Sequence, residues 1–365
     1  MNKKIGIITF HIAENYGAVL QAYALLSALK RELPEIDFSI VDYKPKSITS
    51  TYEIFYSFKS VKSPFKKIAY LVISLLHLPE TLRKKYHFKY FRDNYLRVNS
   101  DWKHTNYDCI ICGSDQIWNP SLTEGIDNVY FADFCCKKIA YAVSDGGESL
   151  LNDNMLSLIT DFSALSVREK TLENRLKTVL NKDVYTVLDP VFLVSHTNWA
   201  KNLLNIYIKD TNYILVYCLH ASKAFDELMK QLSHRLDKKI VVVSYARSIR
   251  TIFHNKITYR TAVSPFEFLK YIYEADFIFT NSFHCTAFSI IFRKSFFVPF
   301  LSKRADRIVD MLALFDLSER YITRLPESIE DFTINYSEKI THTVNAEIQK
   351  SIQFLLKSIK EIECI

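Results

Sequence analysis

The chain has 365 residues, 48% of them apolar and 24% charged, with a net charge of +7. That balance excludes a disordered or fibrous protein, and the length exceeds what one hydrophobic core comfortably supports, so two domains are expected. The longest strongly apolar stretch, residues 68–78, is too short to cross a bilayer as a helix.

Residues 1–4 lead at once into an apolar strand at 5–10, which is too short for the core of a secretory signal. A helix is expected over 18–33, with Val19, Leu20, Tyr23, Leu26, Leu29 and Leu33 at helical spacing, and then a strand over 38–43. The next segment, 59–92, carries nine basic residues against the single acid Glu80, so its +8 exceeds the whole chain's net charge. Its apolar centre, flanked by cations, suits a segment lying on an anionic membrane surface; it equally suits a helical excursion packed on its own domain. The rest of the chain is near neutral and has no recognition motif, which argues against nucleic acid.

Strands are then expected at 107–112, 139–143, 164–167 and 184–188, with helices at 154–162 and 169–180 between them. After a junction at 189–199 a second series begins. It has strands at 213–219, 239–243, 277–280 and 295–299, with helices at 224–236, 265–274, 286–292 and 304–315. An amphipathic helix at 344–362 closes the chain. Alternation of this kind implies an α/β protein of two Rossmann-like domains, 1–198 and 199–365, facing a cleft. Seven cysteines, an odd number, fit reduced thiols in a cytoplasm. Cys109 and Cys112 point to opposite faces of a strand, so they read as buried thiols, and no metal-ligand cluster is evident.

In open α/β sheets chemistry sits in the loops after the strands, and four polar loops stand there. Asn15-Tyr16-Gly17 begins the first helix, where free N–H groups can take hydroxyls or anions, Asn15 can cap, and Gly17 permits close approach. Gly113-Ser114-Asp115-Gln116-Ile117-Trp118-Asn119 combines carboxylate, amide and indole, the groups that sugar recognition uses. Arg168, in Ser166-Val167-Arg168-Glu169, suits a carboxylate or phosphate, or a salt bridge with Glu169. Thr280-Asn281-Ser282-Phe283-His284-Cys285-Thr286 places a histidine at a helix start, where it can contact phosphate and exchange a proton.

These segments, with Gln21, Asp189-Pro190 and Pro265-x-Glu267-Phe268, occur in the order seen in the polysaccharide pyruvyl transferase family, which the chain resembles over most of residues 3–315. The resemblance implies a glycosyltransferase-B-like fold and an enzyme that uses phosphoenolpyruvate as co-substrate, with no cofactor and no metal. It implies pyruvyl transfer to a sugar of a surface glycan or lipid-linked oligosaccharide, closing a cyclic ketal. The N-terminal domain is then expected to bind the acceptor through Asn15, Tyr16, Gly17, Gln21, Asp115, Gln116, Trp118 and Asn119. The C-terminal domain is expected to bind the donor through Ser282, His284, Thr286, Lys303, Arg304 and Arg307, with Arg168 from across the cleft. His284 is the expected acid or phosphate contact and Asp115 the expected base. Cys285 stands where the family has glycine, so its side chain is expected to narrow the donor pocket. The location expected is the cytoplasm, peripheral to the inner membrane face through 59–92. Two rival readings are a nucleotide-sugar glycosyltransferase of the same shape and a catalytically silent glycan-binding member.

Overall fold

The strand Lys4–Ile8 is buried after its first residue and Cys109–Cys112 throughout, the pattern of parallel sheets covered on both sides. A computed structural model describes residues 3–53, 74–134, 136–147, 152–219, 222–243, 257–300 and 306–363. The first half runs β1 (Lys4–Ile8), α1 (Tyr16–Glu32), β2 (Asp37–Val41), α2 (Leu78–Tyr95), β3 (Val98–Asn99), β4 (Cys109–Cys112), β5 (Lys137–Val143), α3 (Asp153–Thr160), β6 (Ala164–Val167), α4 (Lys170–Leu180) and β7 (Val184–Thr186). Its seven strands pair in the order β3-β2-β1-β4-β5-β6-β7.

The second half runs β8 (Tyr213–Tyr217), α5 (Lys223–Leu236), β9 (Lys239–Val243), β10 (Ile257–Arg260), α6 (Pro265–Glu274), β11 (Phe277–Thr280), α7 (Phe283–Ile291), β12 (Phe296–Pro299), α8 (Asp306–Leu314), β13 (Tyr321–Ile322) and α9 (Glu338–Glu363). Its six strands pair in the order β10-β9-β8-β11-β12-β13. Neighbouring strands are parallel throughout both sheets. The expected doubly wound architecture is therefore present twice. Strand order reverses between β1 and β4 in one sheet and between β8 and β11 in the other, and at such points helices diverge and leave a crevice.

Cys109 and Cys112 are buried free thiols that enter different hydrophobic clusters on opposite faces of β4. The short strands β3, β10 and β13 were not expected, because two to four residues at a sheet edge carry too little periodicity to read.

Away from the cleft, Tyr16, the helix α2 and the helix α9 tie the halves together. Tyr16, opening α1, stacks on Phe268 of α6 with ring centroids 4.5 Å apart, and its hydroxyl donates to the Val263 carbonyl at 3.1 Å. The helix α2 lies over this junction, with Phe88 beside Tyr16 and Phe91 edge-on to Phe266. From residue 78 onward the basic segment is thus a packed helical excursion, whereas 59–73 lie outside the described residues. Burial pushes the Lys84 amine on α2 down to about 7, against the pull of Glu14. Finally α9, assigned with the second half by sequence, crosses back to the first. Ser351 accepts from the Leu188 N–H at 2.9 Å, and Phe354 packs beside Tyr141 and Tyr185. Among the described residues no helix is long and apolar enough to cross a membrane.

Candidate active site

The two switch points face each other, and the loops that follow β1, β4, β6 and β11 meet between them. Ser282 caps α7 by accepting from the Cys285 N–H, so the helix starts at Phe283, earlier than its apolar spacing indicates. His284 is then its second residue and points across at α1. A Cβ placed on Gly17 would lie 2.1 Å from His284 Nδ1 and 2.4 Å from Cγ, so only glycine lets the two walls come this close.

Behind His284 lies a buried group of charges. Asp189 Oδ2 accepts from Arg168 Nη1 at 2.7 Å and from Ser114 Oγ at 3.1 Å, and lies 3.5 Å from His284 Nε2. Burial would raise the Asp189 pKa, but the charges of His284 and Arg168 hold it well below the usual carboxylate range. Arg168 Nη2 is 3.5 Å from Asp115 Oδ1. Burial disfavours the Arg168 charge, yet Asp189, Asp115 and Glu169 together raise its pKa. Glu169 accepts from Ser144 Oγ at 2.5 Å, and burial pushes its pKa up despite Arg168 and Arg307.

Arg307, at the start of α8, completes the group. Its guanidinium carbon is 6.0 Å from the Phe283 ring centroid, and that of Arg168 is 4.8 Å from it. The Gln116 amide, turned with its oxygen toward Arg307, accepts from Nη1 and Nη2 at 2.9 and 3.1 Å. Burial, and then the charge of Arg168, lowers the Arg307 pKa. Arg168 Nε and Nη2, Arg307 Nε, Glu169 Oε2 and His284 Nε2 are buried without a hydrogen-bond partner among the described residues. Buried donors left open in a cleft mark a place for an anion. From Arg168, Phe283 and Arg307 a cavity of about 480 Å³ extends back past Leu188, Phe192 and Met311 to α9.

Several expected site residues serve the scaffold. Trp118 is 1% exposed, its face covered by the Phe131 ring and its indole donating to the Tyr130 carbonyl, so it presents no surface to a sugar. Gln21, fully buried, donates to Thr9 Oγ1 and accepts from the Ser114 N–H. Asn119 accepts from the Ser121 N–H and Asn15 from the Ala18 N–H, each capping a helix. Thr286 is fully buried and donates to the Ser282 carbonyl. Tyr16 belongs to the domain junction described above. Cys285 packs into the main core, its thiol raised to about 12 by burial, so it does not narrow the pocket as expected. Lys303 and Arg304 lie outside the described residues.

Asp115, Gln116, Gly17, Arg168, His284 and Arg307 do converge. Sequence reasoning missed Asp189, Glu169 and Phe283 as members of the site. Asp189-Pro190 was visible as a junction motif, but nothing local says that its carboxylate turns inward. Asp115 itself has φ of 79°, a left-handed conformation that aspartate tolerates better than most non-glycine residues.

The family model described as polysaccharide pyruvyl transferase matches residues 15–298. No curated protein matches the chain significantly. Among solved structures, a UDP-GlcNAc 2-epimerase from Neisseria meningitidis, bound to UDP-GlcNAc, is similar at 9% identity and a TM-score of 0.53, over 98% of this chain and 100% of that one. A putative UDP-N-acetylglucosamine 2-epimerase from Listeria monocytogenes is similar at 10% identity and a TM-score of 0.54, over 99% and 96%. At such identities the likeness is one of fold, the glycosyltransferase-B arrangement of two facing Rossmann-like domains.

Proposed function

The chain belongs to the polysaccharide pyruvyl transferase family, and on that footing we propose that it transfers a pyruvyl group from phosphoenolpyruvate to a sugar of a surface glycan or lipid-linked oligosaccharide precursor, forming a cyclic ketal. The observation that carries this reading is the pair of guanidiniums, Arg168 and Arg307, that flank Phe283 with buried N–H groups open beside His284. Phosphoenolpyruvate presents a carboxylate and a phosphate, and two guanidiniums suit two such groups.

The reaction needs a proton on the methylene carbon, which leaves C2 oxocarbenium-like. In this reading His284 exchanges that proton. A sugar hydroxyl, losing its proton toward Asp115, adds to C2. The bond from C2 to the phosphate oxygen breaks and inorganic phosphate leaves, its charge met by the arginines. A second hydroxyl of the same sugar then adds to C2 and closes the ketal, its proton restoring the one that His284 gave to carbon, while the proton taken by Asp115 leaves on phosphate. Lys303 and Arg304 are proposed as further donor contacts, and the reading invokes no metal or cofactor.

A lipid-linked acceptor would place the enzyme at the cytoplasmic leaflet. The exposed residues Leu82, Tyr86 and Tyr90, spaced four apart on α2 beside Arg83 and Lys89, support that placement. Flotation with anionic liposomes at low salt should carry the protein upward; a protein left at the bottom rejects it.

The central test is phosphate release from phosphoenolpyruvate in the presence of a glycan acceptor, with His284→Ala expected to be about 100-fold slower or worse. Equal release by the two proteins removes His284 from the mechanism. Thermal stabilisation by nucleotide sugars and not by phosphoenolpyruvate would replace the proposal with a nucleotide-sugar glycosyltransferase.

A further inference from the structure

Asp189 is a buried carboxylate to which the chemistry above gives no task. It starts the linker between the two sheets, and its side chain has no solvent exposure. Oδ1 accepts from the Val191 N–H at 3.1 Å, and Oδ2 accepts from Arg168 Nη1 and Ser114 Oγ. The same Oδ2 lies 3.5 Å from His284 Nε2, close enough for ion pairing but without a hydrogen bond. Catalytic contacts of this length commonly tighten when substrate binds. Arg168 and Ser114 come from the first half and His284 from the second, so one carboxylate joins both walls of the cleft.

An ionised carboxylate can only accept, so a neutral imidazole beside it is stabilised with its proton on the facing nitrogen. The opposite side of the ring lies against Gly17 at the start of α1, with Nδ1 the ring atom nearest to it. We propose that Asp189 is a positioning residue for His284: it holds the proton on Nε2 and so leaves Nδ1 as the nitrogen that exchanges a proton with substrate. The proposal rests on the reading of His284 as the proton-exchanging group, but its first test needs no turnover.

That test is the two-bond 1H–15N spectrum of the full chain labelled with 15N-histidine, recorded at about pH 8, where an ordinary imidazole is neutral. The chain has ten histidines, and the His284 pattern is the one lost in His284→Gln. The expected pattern is Nε2 protonated and Nδ1 bare, with Asp189→Asn shifting it toward a mixture. A wild-type pattern with Nδ1 protonated overturns the proposal, and so does an Asp189→Asn pattern identical to wild type. If Asp189→Asn does not fold, the wild-type spectrum decides alone.

In turnover, Asp189→Asn should lower kcat by about 100-fold. KM for phosphoenolpyruvate should stay level or fall, because a negative charge is lost beside the two arginines. A raised KM with a lowered melting temperature and an unchanged tautomer would reduce Asp189 to a structural brace. If the tautomer is as expected but wild type releases no phosphate, the pyruvyl-transfer reading fails and the assignment of the tautomer stands.

Discussion

The turns at 113–119 and 280–286 hold equivalent places in the two halves, each after the strand that borders a topological switch point, yet they use their polar groups differently. In the first, Ser114, Asn119 and the Trp118 indole are bonded inward, Asp115 lies beside Arg168 of its own half, and Gln116 reaches Arg307 on the other wall. In the second, Thr280, Ser282 and Thr286 hold the turn, which frees Phe283 and His284 to reach across. A polar motif in a sheet-to-helix turn is therefore mostly scaffold. The chemistry belongs to the few groups that the scaffold leaves without partners.

The sharpest way to break that comparison is to part the second turn from the wall it reaches, at the start of α1. In Gly17→Ala the new methyl would lie within 2.8 Å of three His284 ring atoms, so the ring or α1 must shift. We expect kcat/KM to fall about 100-fold, as for a misplacement on the order of 1 Å, with a stability loss of about 1–3 kcal/mol. Phosphate-release kinetics and urea unfolding measure the two effects. Kinetics like those of wild type would mean that His284 does not meet α1 during turnover.

A smaller effect sharpens the scaffold side. Trp118→Phe removes the bond to Tyr130 and some buried volume, so about 1–2 kcal/mol of stability should be lost. Phosphate release and its dependence on acceptor concentration should stay within about two-fold of wild type, since the ring faces the core. A large rise in acceptor KM would return Trp118 to the cleft.

The smallest effect lies beside the site. Burial raises the Glu173 pKa, but hydrogen bonds from Lys170, Lys177 and Thr186 outweigh it and hold the folded value at about 2, below the ordinary 4.5. A depressed carboxyl contributes stability that is present above its unfolded value and is lost as pH falls toward the folded one. Thermal melts should therefore weaken between about pH 4.5 and 2, and Glu173→Gln should flatten that slope. An unchanged slope would remove Glu173 from the acid response.

Much of this was legible locally. The strand and helix series follows from apolar spacing, and the glycine at 17 can be picked out from its neighbours alone, whereas Ser282, expected on the donor, turns out to cap α7. Trp118 misled because an indole in a polar loop looks available for a sugar until the loop folds back and stacks it on Phe131 at 5.4 Å. Cys285 misled in the same way, since which face of α7 it occupies depends on where Ser282 starts the helix. Asp189 was visible as a junction and motif residue without a role, and α9 as an amphipathic helix assigned to the second half.

By itself, then, the sequence determined the two α/β halves, the order of the motif turns and the family. Those depend on periodicity and turn chemistry within a few residues. The tertiary structure alone decided that Gly17 meets His284, that Asp189 gathers Ser114, Arg168 and His284, and that α9 returns to the first sheet. These contacts join residues that are mostly far apart in the chain. They arise only when two sheets, each stable through its own apolar faces, are docked with their switch points opposed.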